Sequence, residues 1–283
     1  MMASFGLRPV AFLKEEAKRF LLTRAGLKRV HIVGCARSGT TMLHYAMIAF
    51  ANTILFDRET APWSAPGLKL SFILWREAAG GHNPGFFITK RYANWWRPAQ
   101  VSRLADYARR YQVFIINLIR DPRDVLTSRH ALDPQKYYVT PELWENSIAA
   151  GRQLEHELRN SPCFLTIKYE DVILQSQRVE QLLHHKLGLC LRRHLKSWSR
   201  LKENLQASNV SARMLPYMHR LRDFDPSSIQ KWRHDPHKAA YINQLLTASP
   251  HAEKLQAFLT ENEYVDAGER PPLAKRQPRL ETV

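Results

Sequence analysis

The residues best suited to chemistry in this chain are Arg37-Ser38-Gly39-Thr40-Thr41, which close a run that opens at Gly34. A short apolar stretch, Val30 to Val33, precedes them, and a helical pattern through Met42, Leu43, Ala46, Met47 and Phe50 follows. Strand, turn and helix in that order place backbone N–H groups and a positive helix end around an anion. The spacing Gly34-x4-Gly39 before two hydroxyl residues matches a nucleotide-triphosphatase loop, with one departure. Thr40 stands where that loop needs Lys to reach the β- and γ-phosphates, and the nearby cation, Arg37, comes three residues earlier. The loop is therefore expected to hold a phosphate without being built for a Mg²⁺-nucleoside triphosphate.

A second anion clamp is expected further along. Val113 to Ile119 is a near-continuous apolar run of strand length, as in a strand buried on both faces. It ends in Arg120-Asp121-Pro122-Arg123, where Asp121 reads as a helix N-cap and Pro122 as the first helical position. Ser128 follows Asp121 by about two helical turns, on the face that carries the cap. Arg120 and Ser128 could then share one target. Two clamps at the carboxyl ends of strands suit a ligand with two separate phosphates.

Together these segments resemble the sulfotransferase family, which uses 3′-phosphoadenosine 5′-phosphosulfate as donor. The motif style is most similar to glycan, protein-tyrosine and bacterial members. The resemblance implies that Arg37, Ser38, Gly39, Thr40 and Thr41 bind the 5′-phosphosulfate, and that Arg120 and Ser128 bind the 3′-phosphate. Ile167-Lys168-Tyr169-Glu170-Asp171-Val172 is similar to a further family segment and implies Tyr169 near the nucleotide. Gln230-Lys231-Trp232-Arg233 resembles a late Lys-Trp pair and implies a binding role for Lys231. No metal is required, because the leaving group is a phosphate that the loop already neutralises.

Catalysis of sulfuryl transfer needs a base for the acceptor proton and positive charge at the transferred group. Arg37 is placed to stabilise the leaving oxygen. The family's Lys-Thr-His position reads Lys90-Arg91-Tyr92 here, without the histidine. Asp57-Arg58-Glu59-Thr60 is similar to the Glu-Glu-Thr run of other members, so Glu59 is expected as general base, with Asp57 second. Lys90 would hold the sulfuryl oxygens. His31 and His44 occupy ordinary core or boundary places, and His82 and His130 lie in loops. Thr60 to Gly85 and Trp95-Trp96 are where an acceptor pocket would be built; a tryptophan face could stack on a sugar ring, although adjacent tryptophans are more often divided between core and rim.

The elements that must position these residues follow from periodicity. Apolar strand candidates at 30–33, 86–89, 113–119 and 163–167 alternate with helical patterns. That alternation predicts one α/β domain, a P-loop-type three-layer fold whose central, mostly parallel sheet is flanked by helices. The expected organisation is an amphipathic basic helix over 1–27, the domain over 28–265, and a flexible tail over 266–283. Phe12 to Arg29 interleaves Lys14, Lys18, Arg19 and Arg24 with apolar residues, which suits packing on the domain or peripheral contact with a membrane. No 18-residue apolar run or signal peptide is visible, and Cys35, Cys163 and Cys190 lack metal-ligand spacing. A cytoplasmic location is expected.

A net charge of +16 asks for an anionic partner. An anionic glycan or other hydroxyl acceptor fits beside the donor, and no nucleic-acid motif is present. Two rival classes remain at this stage: a P-loop nucleotide-dependent kinase, and a non-enzymatic polyanion-binding protein.

Overall fold

The computed structural model describes residues 28–51, 53–63, 85–94, 96–130, 133–201 and 223–264. The expected N-terminal helix, the tail, His82, Trp95 and most of the 60–85 region lie outside these residues. Five strands form one sheet: β1 (Lys28–Gly34), β2 (Thr53–Glu59), β3 (Phe86–Tyr92), β4 (Val113–Ile119) and β5 (Phe164–Lys168). Their order is β2-β3-β1-β4-β5, and every pairing is parallel. Strand β1 is central, with β3 on one side and β4 on the other. The chain changes direction across the sheet there, so a crevice opens beyond the carboxyl end of β1.

Alternation along the strands builds the layers. From β4, Phe114, Ile116 and Leu118 enter one apolar cluster, together with Leu43 and Tyr45 of α1 (Thr40–Ala46). Helices α5 (Tyr169–Leu174) and α6 (Ser176–Leu187) supply Val172, Val179 and Leu183 to the same face. Val113 and Ile115 point the other way, against α2 (Pro98–Tyr111) and α4 (Pro141–Leu158). The result is the expected P-loop-type three-layer α/β fold. A third cluster caps the carboxyl end, where α3 (Pro122–Leu126) meets α7 (Pro236–Ala248) and α8 (Ala252–Glu261).

Two histidines are sealed in this core. His31 has its Nδ1 at 2.8 Å from Thr89 Oγ1, and His44 Nε2 donates to the Ile88 carbonyl at 3.3 Å. Burial, aided by the charges of Arg91 and Lys90, lowers His31 to about 3, and burial with Lys90 lowers His44 to about 3. Both are therefore neutral when folded but take up protons near pH 6.5 when unfolded. The unfolded state then binds more protons below that pH, so stability is full above about 6.5 and falls as pH drops towards about 3. Thermal melts should show a Tm that declines between about pH 6.5 and 5, above the ordinary carboxylate range. Replacing His44 by Gln should flatten that decline, read as the slope of Tm against pH.

Candidate active site

The loop after β1 is held in shape by its own short bonds. Ser38 Oγ donates to the Cys35 carbonyl at 2.7 Å, and the Ala36 N–H donates to Asn94 Oδ1 at 2.6 Å. Asn94 also reaches Cys35 Sγ at 3.4 Å, and burial pushes that thiol up to about 12, which makes it inert at neutral pH. Arg37 sits at φ 69, a left-handed conformation that costs a non-glycine residue about 1–2 kcal/mol. Gly39, at φ 95, is the N-cap of α1. Thr40 is buried at the first helical position, while Arg37 and Thr41 are exposed. The Ser38 hydroxyl, expected on the ligand, is instead turned into the loop.

Tyr169 fixes the other side of Gly39. A Cβ at position 39 would lie 2.4 Å from the Tyr169 ring, so only glycine permits this approach. The Tyr169 hydroxyl meets Ser228 Oγ at 2.8 Å, and its ring face carries the Arg120 guanidinium at 4.2 Å. Arg120 also donates to the carbonyls of Ser228 at 2.7 Å and Arg37 at 3.2 Å, and it pairs with Asp124 at 3.4 Å. Its Nε has no hydrogen-bond partner among the described residues. The cation of the second clamp thus touches the backbone of the first.

The helix expected to carry Ser128 is shorter than its sequence implies. Asp121 does cap it, accepting from the Arg123 N–H at 2.9 Å, but α3 ends at Leu126. Thr127 Oγ1 turns back to the Arg123 carbonyl at 2.6 Å, which competes with continued helix. Ser128 therefore does not sit on a second helical turn. Its hydroxyl donates to the Asp124 carbonyl at 2.8 Å, so Arg120 and Ser128 meet through Asp124. That carboxylate also accepts the N–H groups of Gln230 at 2.8 Å and Trp232 at 3.3 Å. Lys231 lies between those two residues, exposed, at the start of a 3₁₀ turn over Lys231–His234.

Glu59 and Lys90 come together as an ion pair across the paired strands β2 and β3. Lys90 is almost fully buried, whereas Glu59 keeps about a third of its side chain exposed. Glu59 Oε2 also accepts the Tyr92 N–H at 3.2 Å. Tyr92 is the register partner of Gly34, which brings the acid–lysine pair beside the phosphate loop. The sequence pattern left Glu59 just beyond the first helix; it is the last residue of a strand.

Between Glu59 and Arg37 stands a tyrosine pair. Burial, the neighbouring Tyr138 and the charge of Glu59 raise the Tyr92 phenol above its ordinary value. The Arg37 guanidinium lies 5.1 Å from the Tyr138 ring centre and donates to the Arg129 carbonyl. His130 stacks on the same tyrosine at 5.0 Å. Tyr137 lies beside Tyr241 at 4.9 Å and under Arg129 at 5.1 Å. Of the Trp95-Trp96 pair, Trp96 belongs to the core: it is buried and parallel to His31 at 6.4 Å. Asn94, Asp124 and this tyrosine cluster were missed from sequence, and only Asp124, four residues after Arg120, carried a local signal.

No protein-family model matches this chain, and no curated protein does. Solved structures do. The sulfotransferase domain from the curacin biosynthetic pathway is 16% identical over 84% of this chain and 98% of that one, with a TM-score of 0.51. The sulfotransferase domain of the Synechococcus PCC 7002 olefin synthase is 17% identical over 85% and 95%, with a TM-score of 0.48. Mouse sulfotransferase SULT7A1, complexed with PAP, is 14% identical over 86% and 94%, with a TM-score of 0.45. At such identities the likeness defines the fold, which is that of a sulfotransferase domain.

Gly39→Ala tests the loop. The added methyl group meets both the positive φ and the Tyr169 ring, so the loop must shift away from α5. The expected outcome is a Tm lower by a few degrees, for a cost of about 1–3 kcal/mol.

Proposed function

We propose that this protein transfers a sulfuryl group from 3′-phosphoadenosine 5′-phosphosulfate to an acceptor hydroxyl, on a glycan or polysaccharide. The observation that carries this reading is the contact between the two clamps, Arg120 on the carbonyl of Arg37. A nucleotide phosphorylated at both 5′ and 3′ positions spans such a pair, whereas a triphosphate would need the lysine that Thr40 replaces.

In this reading the loop N–H groups and Thr40 and Thr41 hold the 5′-phosphosulfate. Arg37 leaves the Tyr138 face to neutralise the bridging oxygen. Arg120, Ser128 and Lys231 receive the 3′-phosphate, with Tyr169 beside the nucleotide. The acceptor oxygen forms its bond to sulfur as the sulfur–phosphate oxygen bond breaks. Glu59 takes the acceptor proton, and Lys90, freed from its partner, meets the charge on the sulfuryl oxygens. 3′-Phosphoadenosine 5′-phosphate leaves, and no metal takes part. Aromatic faces beside Arg37 and Arg129 suit a polyhydroxylated, anionic acceptor, in keeping with the excess of basic residues.

Labelled donor offered with sulfated polysaccharides, tyrosine peptides and simple phenols should transfer label to the polysaccharide. Glu59→Gln should reduce turnover by about 10²–10⁴-fold while leaving affinity for 3′-phosphoadenosine 5′-phosphate nearly intact. Parent-like turnover in that variant would remove Glu59 from the role, and label on the peptide alone would move the acceptor class.

A further inference from the structure

The opposite pole of the molecule carries a second charged feature that the transfer reaction does not use. Helix α6 ends at Leu187, and the segment after it folds back under the amino ends of the strands. Leu191 bridges Phe50, the Ala51 N–H donates to the Cys190 carbonyl at 2.6 Å, and the N–H groups of Arg192 and Arg193 donate to Ala49. Lys28, the first residue of β1, places its Nζ 3.4 Å from the Leu187 carbonyl. The segment is thus pinned to the amino end of the sheet. β1 spans seven residues at about 3.3 Å each, so roughly 20 Å separates this pole from the phosphate loop.

Its chemistry is one-sided. Residues 184–196 contain Lys186, Arg192, Arg193 and Lys196 and no acid. All four cations are exposed and have no ion pair among the described residues. Among them Leu191 is 40% exposed, one of two large apolar residues so exposed among the described residues. It borders a groove of about 500 Å³ with Leu189, Cys190, Gln181, His184 and His194. The carboxylate that lines this groove, Glu180, is buried and already bound to His194 and the Leu195 N–H.

We propose that this pole is a docking surface for an anionic lipid membrane. Cations around an exposed leucine match a headgroup layer with apolar material beneath it. Nucleic acid would gain nothing from the leucine, and residues 184–196 contain no Phe, Tyr or Trp on which a base would stack. The chain that joins the domain at Lys28 brings Lys14, Lys18, Arg19 and Arg24, the same sign of charge. Even with Glu15 and Glu16 that segment keeps a net positive charge, so both features suit one anionic body larger than either. No described helix is long and apolar enough to cross a membrane, which makes the contact peripheral. The phosphate loop then faces away from the bilayer, open to an acceptor in the surrounding solution.

The test is co-sedimentation of the full chain with vesicles of phosphatidylcholine alone and with about a third phosphatidylglycerol. Binding should require the anionic lipid, weaken with salt, and fall about 30-fold or more in Arg192→Glu/Arg193→Glu. Leu191→Ser should weaken it several-fold at unchanged ionic strength. A melting curve checks that each variant is folded, and Lys186→Glu/Lys196→Glu serves if the arginine pair is not. Equal sedimentation with both vesicle types, or parent-like binding by the folded double variants, would overturn the proposal. So would tighter capture through the same arginines by a short DNA duplex at equal salt.

Discussion

A buried carboxylate must be neutralised, and in this protein that requirement organises the carboxyl end of the sheet. The Asp124 side chain is 1% exposed. It is satisfied by Arg120 from the end of β4 and by two backbone N–H groups from 230–232, while its own carbonyl takes the Ser128 hydroxyl. Removing any partner would leave charge stranded in a poorly hydrated place, so the strand end, α3 and the late turn are held as one unit. Arg120, thus oriented, lies on Tyr169 and reaches the carbonyl of the strained Arg37. Tyr169 in turn presses on Gly39. The phosphate loop, the second clamp and the late turn are therefore coupled through side chains rather than merely adjacent.

That coupling explains what the sequence could and could not disclose. The loop from Gly34 to Thr41 and the strands β1, β3, β4 and β5 were legible because their signals are local: apolar runs, a glycine spacing, a capping Asp-Pro. Strand β2 was not, since Thr53–Glu59 gives only three apolar residues before Asp57-Arg58-Glu59. Its strand character comes from pairing with β3, a tertiary effect. Asp124 was not singled out, because the partners that satisfy its buried carboxylate include backbone groups 106 and more positions away. Ser128 was placed by extending a helix that Thr127 ends. Trp96 is the core member of its adjacent pair, one of the two places the sequence allowed it.

The acid–lysine pair shows how chemistry and folding share residues. Lys90 is too buried to stand alone as a cation, so Glu59 makes its presence in β3 tolerable. The same pairing anchors Glu59 beside Tyr92, at the carboxyl edge of the sheet. Neutral histidines behind Lys90 add no competing charge. Basic residues thus occupy three separate settings here: Arg37 and Arg120 beyond the carboxyl end of β1, a buried pair at Lys90, and an exposed pole around Arg192. The total charge alone could not separate them.

The central claim is that two clamps hold two phosphates of one nucleotide. Calorimetric titration in EDTA with 3′-phosphoadenosine 5′-phosphate and, separately, adenosine 5′-phosphate tests it most directly. The account predicts that the 3′-phosphate strengthens binding by about 100-fold, the scale of one charge-assisted contact set, and that Arg120→Ala erases the difference. Equal affinity for the two nucleotides, or binding seen only with Mg²⁺-ATP, would contradict it and return the loop to the kinase class.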